Sequence, residues 1–379
     1  MSHNGIMITR RAWIGGALLT AACGPPKGTG FPGFAIIASE AEHTLTAVSL
    51  ERFRVTRQLS LEAAPSEVMA LSNPPLVLCL LPRRGTLVAI DNEAVAVRNR
   101  VRVGDESLGM RLDDDGKRVW ILNKSPHTLV AVDLATFRPG ARVRLPGTPA
   151  SLDVYGKMAA VSLPDRGEIA IIENDRVSRT IATGISPEMI CFRPDGGVVL
   201  AGDPHSQMLA VADPATGQLL VKLPLPMKPR RYCYNFDGGQ LFITGEGMDA
   251  VSIVSPYQTE VGETILAGHS PAGMAVPPGN RQDRPDYLFV TNSDSGDVTV
   301  IDIYSRHVVA RIPVGQDPQE VVITPDNQYA LVLNRKSGDV AVIRVPSISA
   351  WGNHHNKTAP LFTMVPVGAR PVSATISRT

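Results

Sequence analysis

Four cysteines in a chain of 379 residues are too few for a fold stapled by disulfides. Charge of one sign is also missing. The 37 Lys and Arg face 36 Asp and Glu, a formal net charge of +1, so no bulk field draws the protein to nucleic acid or to an anionic membrane surface. Aromatic residues make up 5%, which tells against a platform for stacking sugar rings. Beyond the first 23 residues, no apolar run is long enough to cross a bilayer as a helix. The chain has no Cys-x-x-Cys-His, no Gly-x-Gly-x-x-Gly after a strand, no Gly-x-Ser-x-Gly and no His-Glu-x-x-His. These absences tell against covalent c-type haem, a nucleophile elbow and zinc-protease chemistry.

What the sequence does hold is a repeat. Residues 288–326, LFVTNSDSGDVTVIDIYSRHVVARIPVGQDPQEVVITPD, contain four short runs rich in β-branched and apolar residues, separated by turn formers at 292–297, 304–307 and 315–318. That spacing reads as four strands, not a helix. The leading run recurs as FAIIAS from Phe34, LVLCLL from Leu76, RVWILN from Arg118, MAAVSL from Met158, GVVLAG from Gly197, QLFITG from Gln240, YLFVTN from Tyr287 and YALVLN from Tyr329, at intervals of 39–47 residues. The run after it, such as TLVAID or VTVIDI, alternates its side chains as a strand with two distinct faces does. A four-stranded antiparallel unit of this size cannot bury both faces alone, so copies must pack face to face. The expectation is an all-β propeller of eight blades, or of seven if one weak copy merges with its neighbours. The repeat starts on a second-position strand at Phe34 and ends on an innermost-type strand at 371–377. The last strand should therefore complete the first blade and remove the free edge.

The copy at 288–334 resembles the YVTN-type β-propeller repeat. It carries aromatic-Val-x-Asn at 289–292, Ser-x-x-Val-x-Val-Ile-Asp at 295–302, the Gly-x-x-Pro corner within 312–318, and Pro-Asp at 325–326 followed by Asn327 where the family has Gly. The resemblance implies a propeller, frequently an exported one. Related propellers include binding proteins, surface antigens, lactonases and haem-bearing nitrite reductase domains, and fold alone does not choose among them.

Residues 1–23 read as an export signal. Arg10 and Arg11, followed by the apolar run 12–22, resemble a twin-arginine signal, and LLTAAC, ending in Cys23, looks like a lipobox whose cysteine would carry lipid. A simple cleaved signal or an N-terminal membrane anchor are the alternatives. Residues 24–33 (GPPKGTGFPG) suit a flexible tether, leaving 34–379 as one propeller domain. The expected location is periplasmic, or on the outside of the cytoplasmic membrane or the outer membrane.

In a propeller, the corner before each innermost strand and the loop after each second strand open at the same end of the channel, where function usually gathers. Charges fall there at Glu67, Glu188, Arg230, Arg231 and Glu320, able to grip a polar ligand or simply to solvate the rim. His43, His127, His205 and His269 fall on the same side, and the paired His354 and His355 in an insert of the last repeat. Without a recurring carboxylate beside them they read as surface residues, and no metal site is assigned. His269 joins the candidate ligand-binding set because it sits in a corner. Cys191 and Cys233 hold equivalent places on adjacent innermost strands, too far apart for a disulfide's Cα separation of about 4.4–6.8 Å. The function expected is binding of a small molecule or a partner protein at the channel mouth, without catalysis, by a monomer with no evident cofactor. The alternative is a lactonase-like hydrolase in which Glu67, Glu188 or Glu320 works with Arg230 or Arg231 on a carbonyl. A carboxylate, an arginine and a histidine within about 3 to 4 Å of one point would mark that enzyme. A propeller holding non-covalent haem would instead need an axial histidine in the channel.

Overall fold

The computed structural model describes residues 31–279, 286–348 and 359–378. Among them, 32 strands form eight four-stranded antiparallel sheets, with helix limited to the single turns Pro82–Arg84 and Val345–Ser347. The ring therefore has eight blades, not seven. Blade 1 comprises residues 33–60 and 371–378, and blades 2 to 8 follow as 67–102, 106–144, 152–182, 189–224, 228–266, 271–313 and 318–366. As the sequence predicts, the closing strand Pro371–Arg378 pairs antiparallel with Gly33–Ser39 and supplies the innermost strand of blade 1. Gly33 fits because a Cβ there would collide with the Ser377 carbonyl.

The two middle strands of each blade are apolar because both their faces are dry. Leu76–Leu81 (LVLCLL) is buried throughout. Its alternation divides side chains between two neighbours: Leu78 and Leu80 pack with Met110 and Ile121 of blade 3, while Val77 and Cys79 pack with Ile36 and Leu45 of blade 1. The period-two pattern thus sorts residues between two blade interfaces rather than between core and solvent. Outer strands do meet water, and Arg54–Ser60 (RVTRQLS) is exposed along almost its whole length. Each large side chain buried between blades contributes about 1.5–3 kcal/mol.

Two repeat positions lock the corners that lead into blades 7 and 8. Asn292 and Asn334 end their second strands fully buried. Asn334 Nδ2 donates to Asp339 Oδ1 at 2.6 Å and to the Val314 carbonyl at 3.3 Å, and Asn292 Nδ2 donates to Asp297 Oδ1 at 2.6 Å. A Cβ on Gly315 would run into the Asn334 side chain, as one on Gly268 would into Asn292. The asparagine and the corner glycine of the repeat are one interlocking device.

Innermost strands have a ladder on one side only. Their other edge is served by side chains of the preceding blade. Glu67 Oε2 accepts from Met110 N at 2.9 Å, Asp153 Oδ2 from Phe192 N at 2.7 Å, Glu320 Oε1 from Ala374 N at 3.0 Å, and Thr375 Oγ1 from Ala70 N at 3.0 Å. These bonds stitch blade 2 to 3, 4 to 5, 8 to 1 and 1 to 2.

Two outcomes follow for stability. Truncation after Arg370 leaves Gly33–Ser39 with an open edge, so thermal unfolding should lose cooperativity and size-exclusion chromatography should show association; a monomeric truncated chain with an unchanged melting temperature contradicts this. Asp153→Ala strips Phe192 N of its acceptor and should cost about 1–3 kcal/mol in denaturant unfolding, with Asp153→Asn, which keeps a carbonyl acceptor, losing less.

Candidate functional site

Strand direction puts the corners and the loops after second strands at one end of the ring. Just past the corner, the ladder of several innermost strands slips by one residue: between Ser107 and Gly109, Pro229 and Arg231, Pro318 and Glu320, and Pro371 and Ser373. Such a bulge re-aims consecutive side chains. In blade 6 it separates Arg230, which reaches the rim, from Arg231, which interacts with Glu320 inside the channel.

At the rim, Glu188 Oε2 accepts from Arg230 Nη1 at 2.9 Å, Glu188 Oε1 lies 3.2 Å from His205 Nε2, and Arg230 Nε donates to Glu246 Oε1 at 3.1 Å. The His205 backbone is anchored by Asp203, whose Oδ1 accepts from His205 N at 2.8 Å and whose Oδ2 accepts from Ser206 Oγ at 2.6 Å and Ser186 N at 3.0 Å. Burial opposes the charge on Asp203, yet these hydrogen bonds hold its carboxyl below the usual range. A carboxylate, an arginine and a histidine do therefore meet at one point. Both oxygens of Glu188 are engaged, however, and the His205 side chain is 73% exposed, so the cluster is wet.

Next to this cluster lies a pit of about 440 Å³ over blades 6 to 8, lined by Arg230, Arg231, Asp249, Ser270, Ser293 and Gln319 among others. Arg231 is exposed and makes no contact ion pair among the described residues. Asp249 accepts from Ser270 N at 2.9 Å through Oδ1, and its Oδ2 lies 2.5 Å from His269 Nδ1; these two partners, the backbone bond first, hold its carboxyl low. His269 is thus oriented through Nδ1, and Nε2 has no hydrogen-bond partner among the described residues.

In the channel wall, Arg111 Nη1 of blade 3 donates to Glu67 Oε1 of blade 2 at 3.1 Å, its Nε lies 3.9 Å from Asp153 Oδ1 of blade 4, and the Tyr232 side chain of blade 6 is among the groups that act on it. Burial pushes the Asp153 carboxyl up against the bond from Phe192 N and the charge of Arg111. Burial, and then Asp153, push the Tyr232 phenol up, so it stays neutral. Glu320 is pushed up to about 7 by burial, opposed by the Ala374 amide and by Arg231, with Glu67 adding to the rise.

Of the residues singled out in the sequence, Glu188, Arg230 and His205 join at the rim, and Arg231 and His269 flank or line the pit. Glu67 and Glu320 instead serve the channel wall. His43 and His127 lie in the corresponding loops of blades 1 and 3 with no side-chain hydrogen bond among the described residues. Cys191 and Cys233 are free, and each packs into a different blade interface, Cys191 beside Tyr234 of blade 6 and Cys233 beside Met274 of blade 7. Cys23, His354 and His355 lie outside the described residues. Among the described residues, no three His, Cys, Asp or Glu side chains cluster closely enough to hold a metal ion. Sequence reading missed Arg111, Asp153, Tyr232 and Asp249. A usable signal was there: Asp153 is a charge inside the innermost-strand run ASLDV.

No family model matches the chain. It is 27% identical over 132 residues to the seven-bladed beta-propeller protein Rv1057 of Mycobacterium tuberculosis, a match covering 34% of this chain and 33% of that protein. To protein NirF of Pseudomonas aeruginosa it is 24% identical over 261 residues, 62% of this chain and 65% of that one. The chain thus spans a third of the first relative and just under two thirds of the second. Among solved structures it is similar to dihydro-heme d1 dehydrogenase NirN in complex with DHE, with a TM-score of 0.74 and 16% identity over 90% of this chain and 75% of that one. These likenesses support the propeller architecture.

Proposed function

We propose that the chain binds a carboxylate-bearing small molecule of the tetrapyrrole class in the pit at the channel mouth. The observation that carries this reading is the pair Arg230 and Arg231 lining a cavity of about 440 Å³. That volume lies within the range of small-molecule sites, about 300–1,000 Å³. Guanidinium groups grip carboxylates through paired N–H donors, and Ser270 and Ser293 add hydroxyls to the lining. His269, turned through Nδ1 by Asp249, has the carboxylate–histidine pairing that orients an imidazole toward a metal, so it would hold the iron of a metallated macrocycle. The likeness to NirN supports the ligand class. The same reading takes the repeat as YVTN-type and residues 1–23 as an export signal with Cys23 lipidated. Residues 24–33 then tether a monomeric propeller outside the cytoplasm. Among the described residues, no helix is long and apolar enough to cross a membrane.

A second reading, a lactonase-like hydrolase, is favoured by the meeting of Glu188, Arg230 and His205 within 3.2 Å contacts.

Absorbance titration of the purified protein with haem, with coproporphyrin III and with succinate as a small dicarboxylate separates these. Both macrocycles should bind, and Arg231→Ala should weaken them about tenfold or more, as loss of a charge-assisted hydrogen bond predicts. His269→Ala should shift the haem Soret band while leaving coproporphyrin binding intact. Failure of both macrocycles to bind, or equal affinity in Arg231→Ala, defeats the binding reading. Lactone hydrolysis abolished by Glu188→Gln would establish the second.

A further inference from the structure

At the end of the ring opposite the mouth, a cavity of about 860 Å³ lies across blades 8, 1 and 2. The innermost strands of blades 1 and 2 finish there, at Arg378 and Leu71, and the turn after the third strand of blade 2 supplies Asp91, Asn92 and Glu93. Leu71, Ile376 and Pro325 give it an apolar wall. Arg98, near the start of the outer strand of blade 2, joins Arg378 in the lining. Both arginines are exposed and neither has an ion-pair partner among the described residues; Arg378 lies over the Phe31 ring at 5.5 Å. The turn has its own lock, because Asp91 Oδ1 accepts from Glu93 N at 3.0 Å and from Ala94 N at 2.8 Å. The Asn92 side chain takes no part in that lock. It is nevertheless 5% exposed, and its Oδ1 has no hydrogen-bond partner among the described residues. A buried acceptor without a donor is costly, so an asparagine in the lining of a cavity calls for an N–H or O–H brought by a ligand.

The lining carries both signs of charge. A plain anion meets Arg98 and Arg378 but also Glu93 and Asp91, and a plain cation meets the reverse. A ligand with a carboxylate and an ammonium suits both. Asp91 already serves the turn, which leaves Glu93 as the carboxylate open to the ammonium. We propose that this cavity is a second binding site, for a short apolar peptide with free ends. Its carboxylate lies on Arg98 and Arg378, its ammonium on Glu93, and a backbone N–H on Asn92 Oδ1. Its side chains pack on Leu71, Ile376 and Pro325. The volume falls within the range of small-molecule sites, about 300–1,000 Å³. No residue of this lining also lines the pit at the mouth, so the site stands apart from the tetrapyrrole reading.

The test is calorimetric titration of the full chain with tri-leucine, with its N-acetylated form and with its C-terminal amide. The free tripeptide should bind, and each blocked form should bind about threefold to fivefold more weakly, the worth of one exposed charge pair. Arg98→Ala should narrow the gap between the free and the amidated peptide and leave the loss on acetylation as it was. Glu93→Gln should do the converse. Asn92→Leu should weaken all three peptides while the melting temperature stays level or rises, because no hydrogen bond of the folded chain is lost. A purely structural asparagine would give the opposite pair of results, a lower melting temperature with unchanged binding, and that outcome overturns the proposal. So does failure of tri-leucine to bind. An acetylated peptide that binds as tightly as the free one shows a plain anion site, and an amidated peptide that does so shows a plain cation site; either result also overturns it.

Discussion

A ring of blades leaves one edge of every innermost strand without a strand partner. Those amides are too deep to be left to bulk water, and an unpaired buried donor costs about 1–3 kcal/mol. Glu67, Asp153, Glu320 and Thr375 each answer the need of the next blade. Once acidic side chains stand in the wall, a cation must follow. Arg111 reaches both Glu67 and Asp153, and so ties blades 2, 3 and 4 in the wall.

The consequence is a site with two layers of different stiffness. At the rim, Glu188, Arg230, His205 and Glu246 exchange contacts in the presence of water, where ion pairs are worth about 0–1 kcal/mol. A ligand carboxylate can replace them at little cost. In the wall, Glu67 and Asp153 each carry a backbone hydrogen bond between blades as well as Arg111 as an ionic partner, so displacing either would open a blade interface. The rim and the pit are thus free to rearrange, and rigidity belongs to the wall.

The ring was legible in the sequence because its signals are local. Period, strand alternation and corner glycines are each read within about one repeat, and with the surplus strand at 371–377 they predict eight blades and the closure. The site was legible only in part. Counting two residues past each corner proline singles out Glu188, Arg230 and Arg231, but it treats Glu67 and Glu320 as mouth residues when each caps a neighbour's amide. Bulges at Arg230 and Gln319 decide which side chain looks to the rim and which to the channel, and a single-residue slip leaves no mark in composition. Arg111, Asp153 and Tyr232 meet from blades 3, 4 and 6, so no pattern within a repeat could pair them. The Asn–Gly interlock shows the opposite case. Both residues were visible as repeat letters, and the structure supplies their reason.

Closure also fixes the direction from which the chain enters. Gly33 pairs with Arg378 at the foot of blade 1, and Arg378 stacks over Phe31 at 5.5 Å, so the N-terminal approach is held against the closing strand at the end of the channel opposite the pit. From Gly33 the strand runs toward the mouth and ends at Ser39 beside the loop bearing Glu40, where Arg335 and Arg370 converge on that carboxylate at 2.9 and 3.5 Å. The hydrogen bond from Arg335, set against burial and helped by the charge of Arg370, keeps Glu40 ionised. Blades 8 and 1 are thus tied at the mouth by charge and in the wall by Glu320, while the paired termini close blade 1 itself. Phe31 and the paired ends of blade 1 thus stand at the end of the ring opposite the corners, so strand 371–378 both closes the ring and holds the first described residue there.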